Sequence, residues 1–93
     1  MIKSFKCKET EKLWNGGFSK KLPADIHKRA LNKLMMINLY KNLSDFKTPP
    51  KNCFEALKGN RQGQYSIRIN DQWRICFRWL DTYAFDVEIV DYH

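Results

Sequence analysis

The sequence predicts an α+β fold of two layers, with helices in the N-terminal half packed on one face of a small, mainly antiparallel sheet. Two observations predict it. From Tyr65 onward, apolar residues alternate with polar ones: Tyr65, Ile67, Ile69; then Trp73, Ile75, Phe77, Trp79; then Tyr83, Phe85, Val87, Ile89. A period of two with aromatic and β-branched residues on one side marks strands buried on one face. Upstream, Ile26, Ala30, Leu34 and Ile37 recur at helical spacing and supply a stripe to cover that face. With 93 residues, residues 1–93 are expected to form a single domain around one core.

In chain order, Met1–Phe5 alternates weakly and could add a strand. Lys8 to Trp14 reads as a short helix stopped by Gly16-Gly17. Pro23 at the first helical position, with Asp25 in the first turn, starts the long helix, whose pattern runs to about Leu43. Its polar side carries Lys28, Arg29, Lys33 and Lys41, expected to be solvated, and His27 reads as a surface residue. Thr48-Pro49-Pro50 forbids further helix, so Ser44 to Cys53 is read as a partly extended connector. The loop Lys58-Gly59-Asn60-Arg61-Gln62-Gly63 sets two basic residues between glycines, suiting either a phosphate cradle or an ordinary strand connection.

Parity restricts the sheet register, because a one-residue slip turns every side chain to the other face. A three-residue loop at Asn70-Asp71-Gln72 pairs Ile69 with Trp73 and Arg68 with Arg74; the next reversal, near Asp81-Thr82-Tyr83, pairs Phe77 with Val87 and Arg78 with Asp86. The core then takes Trp73 and Trp79, and the opposite face takes Arg68, Arg74, Cys76 and Arg78. Like charges directly opposite destabilise a sheet by roughly 0.2–1 kcal/mol. Asp86 and Glu88 can offset Arg78, but in this register no carboxylate stands beside Arg68 and Arg74. Either the two are solvated and splayed, or their missing anion is a ligand, for which a phosphate suits the guanidinium fork.

The formal charge of +7 and sequence pI of about 9.5 favour polyanionic partners, nucleic acid or acidic protein. Three cysteines, Cys7, Cys53 and Cys76, lack CxxC spacing and read as reduced thiols; His27 and His93 are not at zinc-ligand spacing, so no metal and no other cofactor is expected. With no apolar leader and no run of membrane-spanning length, a cytoplasmic protein without a membrane partner is expected.

Taken together, Leu57-Lys58-Gly59, Tyr65-Ser-Ile-Arg-Ile-Asn70, Trp73-Arg74-Ile75 and the terminal Val90-Asp91-Tyr92-His93 resemble the HigB family, toxins of type II toxin–antitoxin modules within the RelE group. The similarity extends over essentially the whole chain, including Ile2-Lys3-Ser4-Phe5 and the Leu22-Pro23 helix start. The resemblance implies a RelE-like microbial RNase fold and a ribosome-dependent mRNA endoribonuclease. Such an enzyme cuts in the ribosomal A site by metal-independent attack of the 2′-hydroxyl. It implies as partners the ribosome and mRNA, a HigA-like helix-turn-helix antitoxin, and operator DNA only through the antitoxin complex.

By the same resemblance, the family's LKG lysine matches Lys58, its W-R-I arginine matches Arg74, and its terminal tyrosine and histidine match Tyr92 and His93, preceded by Asp91. Relatives often have histidine three residues before the lysine, where this chain has Glu55. Either proton transfer falls to Glu55, or it falls to His93 with Asp91, or the position of Glu55 is not essential; His93 is assigned general acid or base without a choice between them. Lys58 and Arg74 would stabilise the charged phosphorane, Tyr92 would stack on or orient a nucleotide, and Arg61, Arg68 and Arg78 would bind RNA. Two other readings keep the fold: a non-cleaving, antitoxin-binding co-repressor, for which Glu55 is the opening, and a ParE-like toxin directed at DNA gyrase, against which LKG and DYH argue.

Overall fold

The computed structural model describes residues 1–91. The short helix α1 spans Lys8–Trp14 and the long helix α2 spans His27–Leu39. Strands β1 (Glu55–Ala56), β2 (Gln64–Arg68), β3 (Trp73–Leu80) and β4 (Tyr83–Asp91) form one antiparallel sheet in the order β1-β2-β3-β4. The expected two layers are present. Ala30, Leu34 and Ile37 of α2 are fully buried in one cluster with Ile67, Ile75, Phe77 and Val87 of the sheet. Burying each of the larger of these, the Leu, Ile, Val and Phe side chains, stabilises the fold by about 1.5–3 kcal/mol.

The first hairpin follows the expected register: Arg68 opposes Arg74, Ile67 opposes Ile75, and the Ile69 N–H donates to the Trp73 carbonyl at 2.8 Å. Asn70 closes the turn, its Oδ1 accepting from the N–H groups of Gln72 (2.9 Å) and Trp73 (2.8 Å). A side chain that mimics a backbone acceptor in this way favours Asn at a reversal.

The second hairpin departs from expectation halfway along. Ile75 opposes Ile89 and Cys76 opposes Glu88, but Arg78 then opposes Phe85 rather than Asp86. The chain accommodates a β-bulge at Asp86, whose φ of 53° lies in the left-handed region. Asp tolerates that region because its short polar side chain bonds locally. The bulge reverses parity, so Ala84 is buried and Tyr83 is exposed, with the Lys3 ammonium 4.6 Å from its ring centroid. What stabilises the bulge is the N-terminal segment. Lys3 N–H donates to Ala84 on one side, Val87 N–H donates to Ser4 on the other, and the Ser4 hydroxyl accepts from the Asp86 N–H at 2.9 Å. Thus Met1–Phe5 makes parallel bridges at Ile2–Ala84 and Phe5–Val87 rather than a continuous strand.

The helices start and stop for local reasons. Gly16 (φ 90°) ends the turn after α1, its N–H bonded to Leu13. Pro23 precedes a single 3₁₀ turn, Ala24–Ile26, instead of opening the α-helix itself. α2 ends at Leu39, short of Leu43, because Tyr40 is extended and Asn42 begins a separate 3₁₀ turn, Leu43–Lys47, with a reciprocal Asn42–Asp45 capping box. That turn delivers Phe46 to the core, where its ring lies 5.0–5.8 Å from those of Tyr40, Phe54, Phe77 and Trp79. The supposed connector therefore contributes one of the largest fully buried side chains.

Candidate functional site

The face of the sheet turned away from α2 carries a row of aligned residues, Glu55, Ser66, Cys76 and Glu88, one from each strand. Beside it lies the Arg68–Arg74 pair. β1 is only two residues long, yet it decides the electrostatics, because pairing with β2 brings Glu55 onto this face. The expectation that no carboxylate stands near the arginine pair is therefore corrected. Glu55 lies 3.8 Å from the Arg74 guanidinium, and Asp71, brought back by the turn, pairs with Arg68.

Arg74 is the most constrained cation of the group. Its side chain is only 11% exposed. Its Nε donates to the Ser66 hydroxyl at 2.9 Å, and an Nη donates to the Cys53 carbonyl. Cys53 presents that carbonyl from a left-handed backbone position, φ 46°. Fixed acceptors hold the guanidinium plane in one orientation, a prerequisite for preorganised charge stabilisation. Sequence reasoning alone does not single out Ser66 or Cys53. The polar members of Gln64-Tyr-Ser-Ile-Arg68 alternate as regularly as its apolar ones, and that half of the pattern carries the signal for Ser66.

Arg61 reaches the same face from the 3₁₀ turn Gly59–Arg61, donating to Gln64 (3.1 Å) and to Glu88 (2.9 Å). Glu88 thus partners Arg61, and Lys6 at 4.0 Å, rather than Arg78. Arg78 pairs with Asp86 at 3.5 Å despite the shifted register. Gly63 (φ 90°) lets the loop pass the Arg78 side chain, since a Cβ there would come within 2.9 Å of its Nη1. Lys58 is exposed and starts the tight turn, its carbonyl accepting from the Arg61 N–H at 3.2 Å. Beneath the arginines, Ser66 and Cys76 are fully buried, and burial pushes the Cys76 thiol pKa up.

The structure thus brings Glu55 and Arg74 together, and groups Arg61, Gln64 and Glu88. It sets Asp91 apart: that residue opposes Trp73, on the alternate parity from Arg74, and its carboxylate accepts from the Gln72 amide at 3.1 Å. Tyr92 and His93 lie outside the described residues. Among the described residues, no group of three His, Cys, Asp or Glu side chains gathers as a metal site, and no helix is long and apolar enough to cross a membrane.

The family profile of RelE-like toxins of type II toxin–antitoxin systems, HigB, matches residues 3–93. Toxin HigB-1 from Vibrio cholerae is 36% identical over 85 residues, covering 90% of each chain. Endoribonuclease HigB from Proteus vulgaris is 31% identical over 93 residues, covering the whole of both. Among solved structures, YafQ from E. coli superposes with a TM-score of 0.63 at 13% identity, over 98% of this chain and 91% of that one. The YoeB–YefM toxin–antitoxin heterotetramer from Staphylococcus aureus matches with a TM-score of 0.56 at 22% identity, over 100% and 95%. At these identities the two structures speak to the fold, which they share with this chain.

Proposed function

The chain belongs to the family of RelE-like HigB toxins of type II toxin–antitoxin systems, and on that premise we propose that it is a ribosome-dependent mRNA endoribonuclease cutting in the A site. The observation that carries this reading is Arg74, a nearly buried guanidinium held by Ser66 and Cys53 on an arginine-bearing sheet face with a carboxylate, Glu55, at 3.8 Å. A relative aligned over the full length bears the name endoribonuclease, which supports the same chemistry here.

In the proposed reaction the ribose 2′-oxygen attacks the adjacent phosphorus. The O2′–P bond forms, the P–O5′ bond breaks, one proton leaves the 2′-hydroxyl and one reaches the departing 5′-oxygen. Arg74, with Lys58 from the loop, stabilises the added negative charge on the pentacoordinate phosphorus. Proton transfer is assigned to Glu55, or to His93 with Asp91, the histidine serving as acid or base. The separation of Asp91 from Arg74 by parity favours Glu55 as the carboxylate of the pair. Arg61, Arg68 and Arg78 bind the RNA backbone, and Tyr92 orients a base. The partners are the ribosome and its message in the cytoplasm, and a HigA-like antitoxin through which operator DNA is reached; the antitoxin-bound structural relative supports that last pairing.

Primer extension on a message in a translation reaction tests this. The expected result is cuts within A-site codons that require both this protein and ribosomes. Translation arrest without cuts would support the non-cleaving or gyrase-directed reading instead.

A further inference from the structure

A second cationic feature lies outside the row of residues assigned to cleavage. Between α2 and the β2–β3 turn is a cavity of about 440 Å³, walled by Arg29, Lys33, Lys51 and Arg68, with Met36 beside them. Among the described residues, no carboxylate lines it. Lys28, Arg29 and Lys41 are exposed, as the sequence leads one to expect, but Lys33 is half-buried, and Arg29 and Lys33 together wall one side of the cavity. The Lys33 ammonium donates to the side-chain oxygen of Asn52. Asn52 is itself fully buried, its amide donating to the carbonyls of Phe46 (3.1 Å) and Thr48 (3.3 Å). Arg29 is tethered through Nη1 to the Ile69 carbonyl at 3.3 Å. Each tether uses one donor, and an ammonium has three and a guanidinium five.

Four cations around one cavity repel one another. Lys33 registers this: its pKa is lowered, first by burial and then by Lys51, Arg29 and Arg68. Like charges gathered by the fold, with no carboxylate among the described lining residues, call for an anion from outside. Asp71 reaches Arg68, but its side chain is 98% exposed, and an exposed pair of this kind competes weakly with a ligand.

We propose that this cavity is a second phosphate-binding site, taking a backbone phosphate of the RNA strand whose scissile phosphate lies at Arg74. Arg68 carries the choice of ligand, because it belongs to both places: it opposes Arg74 in the strand register and also lines the cavity. A polymer with a phosphate at every residue can occupy both at once. The inference rests on the RNA-directed reading and extends it to a phosphate remote from the reacting atoms.

The test is fluorescence anisotropy of a single-stranded RNA oligonucleotide against the intact chain over a range of salt. The variants are Lys51→Gln, the double variant Lys33→Gln/Lys51→Gln, and Lys28→Gln as a control for net charge on the exposed side of α2. Removing one phosphate-binding cation should reduce the slope of log affinity against log salt by about 0.7, with roughly tenfold weaker binding for the double variant at low salt. Lys28→Gln should leave the slope unchanged. Lys33→Arg, which keeps the charge, should bind like wild type, separating charge from any disturbance of Asn52. The same proteins go into the translation reaction. Wild-type cutting with an unchanged salt slope in the double variant overturns the cavity site alone. Absence of wild-type cutting removes the RNA-directed reading and the cavity with it. Retained RNA binding with loss of poly-glutamate binding gives the cavity to an acidic protein segment and overturns the proposal.

Discussion

Each face of the sheet buries part of its surface, by different means. On the inner face, Ile67, Ile75, Phe77 and Val87 are covered by α2 and by Phe46. On the outer face, Ser66 and Cys76 are just as inaccessible, yet the groups around them are Arg74, bonded to Ser66, and Arg61, bonded to Gln64 and Glu88. The inner face gains free energy by removing apolar area from water. The outer face holds cations close together by hydrogen bonds and ion pairs, a costly arrangement that suits a surface meant to meet an anion. The two should therefore separate experimentally: inner-face changes lower stability, and outer-face changes lower activity.

The largest effect should come from Phe46→Ala, which removes a fully buried ring touching four other aromatics. Denaturant unfolding should show a loss of about 3–5 kcal/mol, much of the stability of a chain this size. Next, Arg74→Ala should slow cleavage about 10²–10³-fold, equivalent to roughly 2.7–4 kcal/mol of transition-state stabilisation. If it unfolded the protein as Phe46→Ala does, the separation of the faces would break. Ser66→Ala should act through Arg74, leaving the cation present but less well oriented. The loss of one charge-assisted hydrogen bond, about 1.5–3 kcal/mol, sets the upper limit, and rescue of the rate by Ser66→Thr would identify the hydroxyl as the cause.

The smallest effect concerns pH. Lys33, facing Arg29, Lys51 and Arg68 and bonded to Asn52, has its folded-state pKa lowered. Between that value and the ordinary lysine range the unfolded chain binds more protons, so stability rises with pH across that window. Lys33→Met should flatten the rise in a denaturant series at alkaline pH, whereas substitutions on the inner face should shift the curve without changing its shape.

Legibility in the sequence divides along a related line. The hairpin from Gln64 to Leu80 followed from alternation and parity alone, because its register is set by the residues that form it. The bulge at Asp86 did not, since it depends on Ser4, 82 positions away. The end of α2 and the burial of Phe46 were hidden for a similar reason: the apolar pattern continues past Leu39, and the break comes from a capping box that only forms once the chain turns. On the outer face, the arginines were visible as a stripe but their partners were not. Glu55 arrives on a two-residue strand too short to show any period, and Asp71 folds back from a turn. The motifs that signalled the family, LKG, W-R-I and the DYH ending, name residue types without saying which of them meet. Glu55 and Arg74 do, whereas Asp91 lies on the other parity.

In the reading proposed above, the outer face, organised on Arg74, performs the cleavage. The most direct measurement compares wild type with Arg74→Ala in the ribosome-programmed cleavage reaction, with unfolding curves recorded on the same samples. Wild type should give A-site cuts, Arg74→Ala should lose nearly all of them, and the two should unfold at closely similar midpoints. Undiminished cutting by a folded Arg74→Ala protein would contradict that reading.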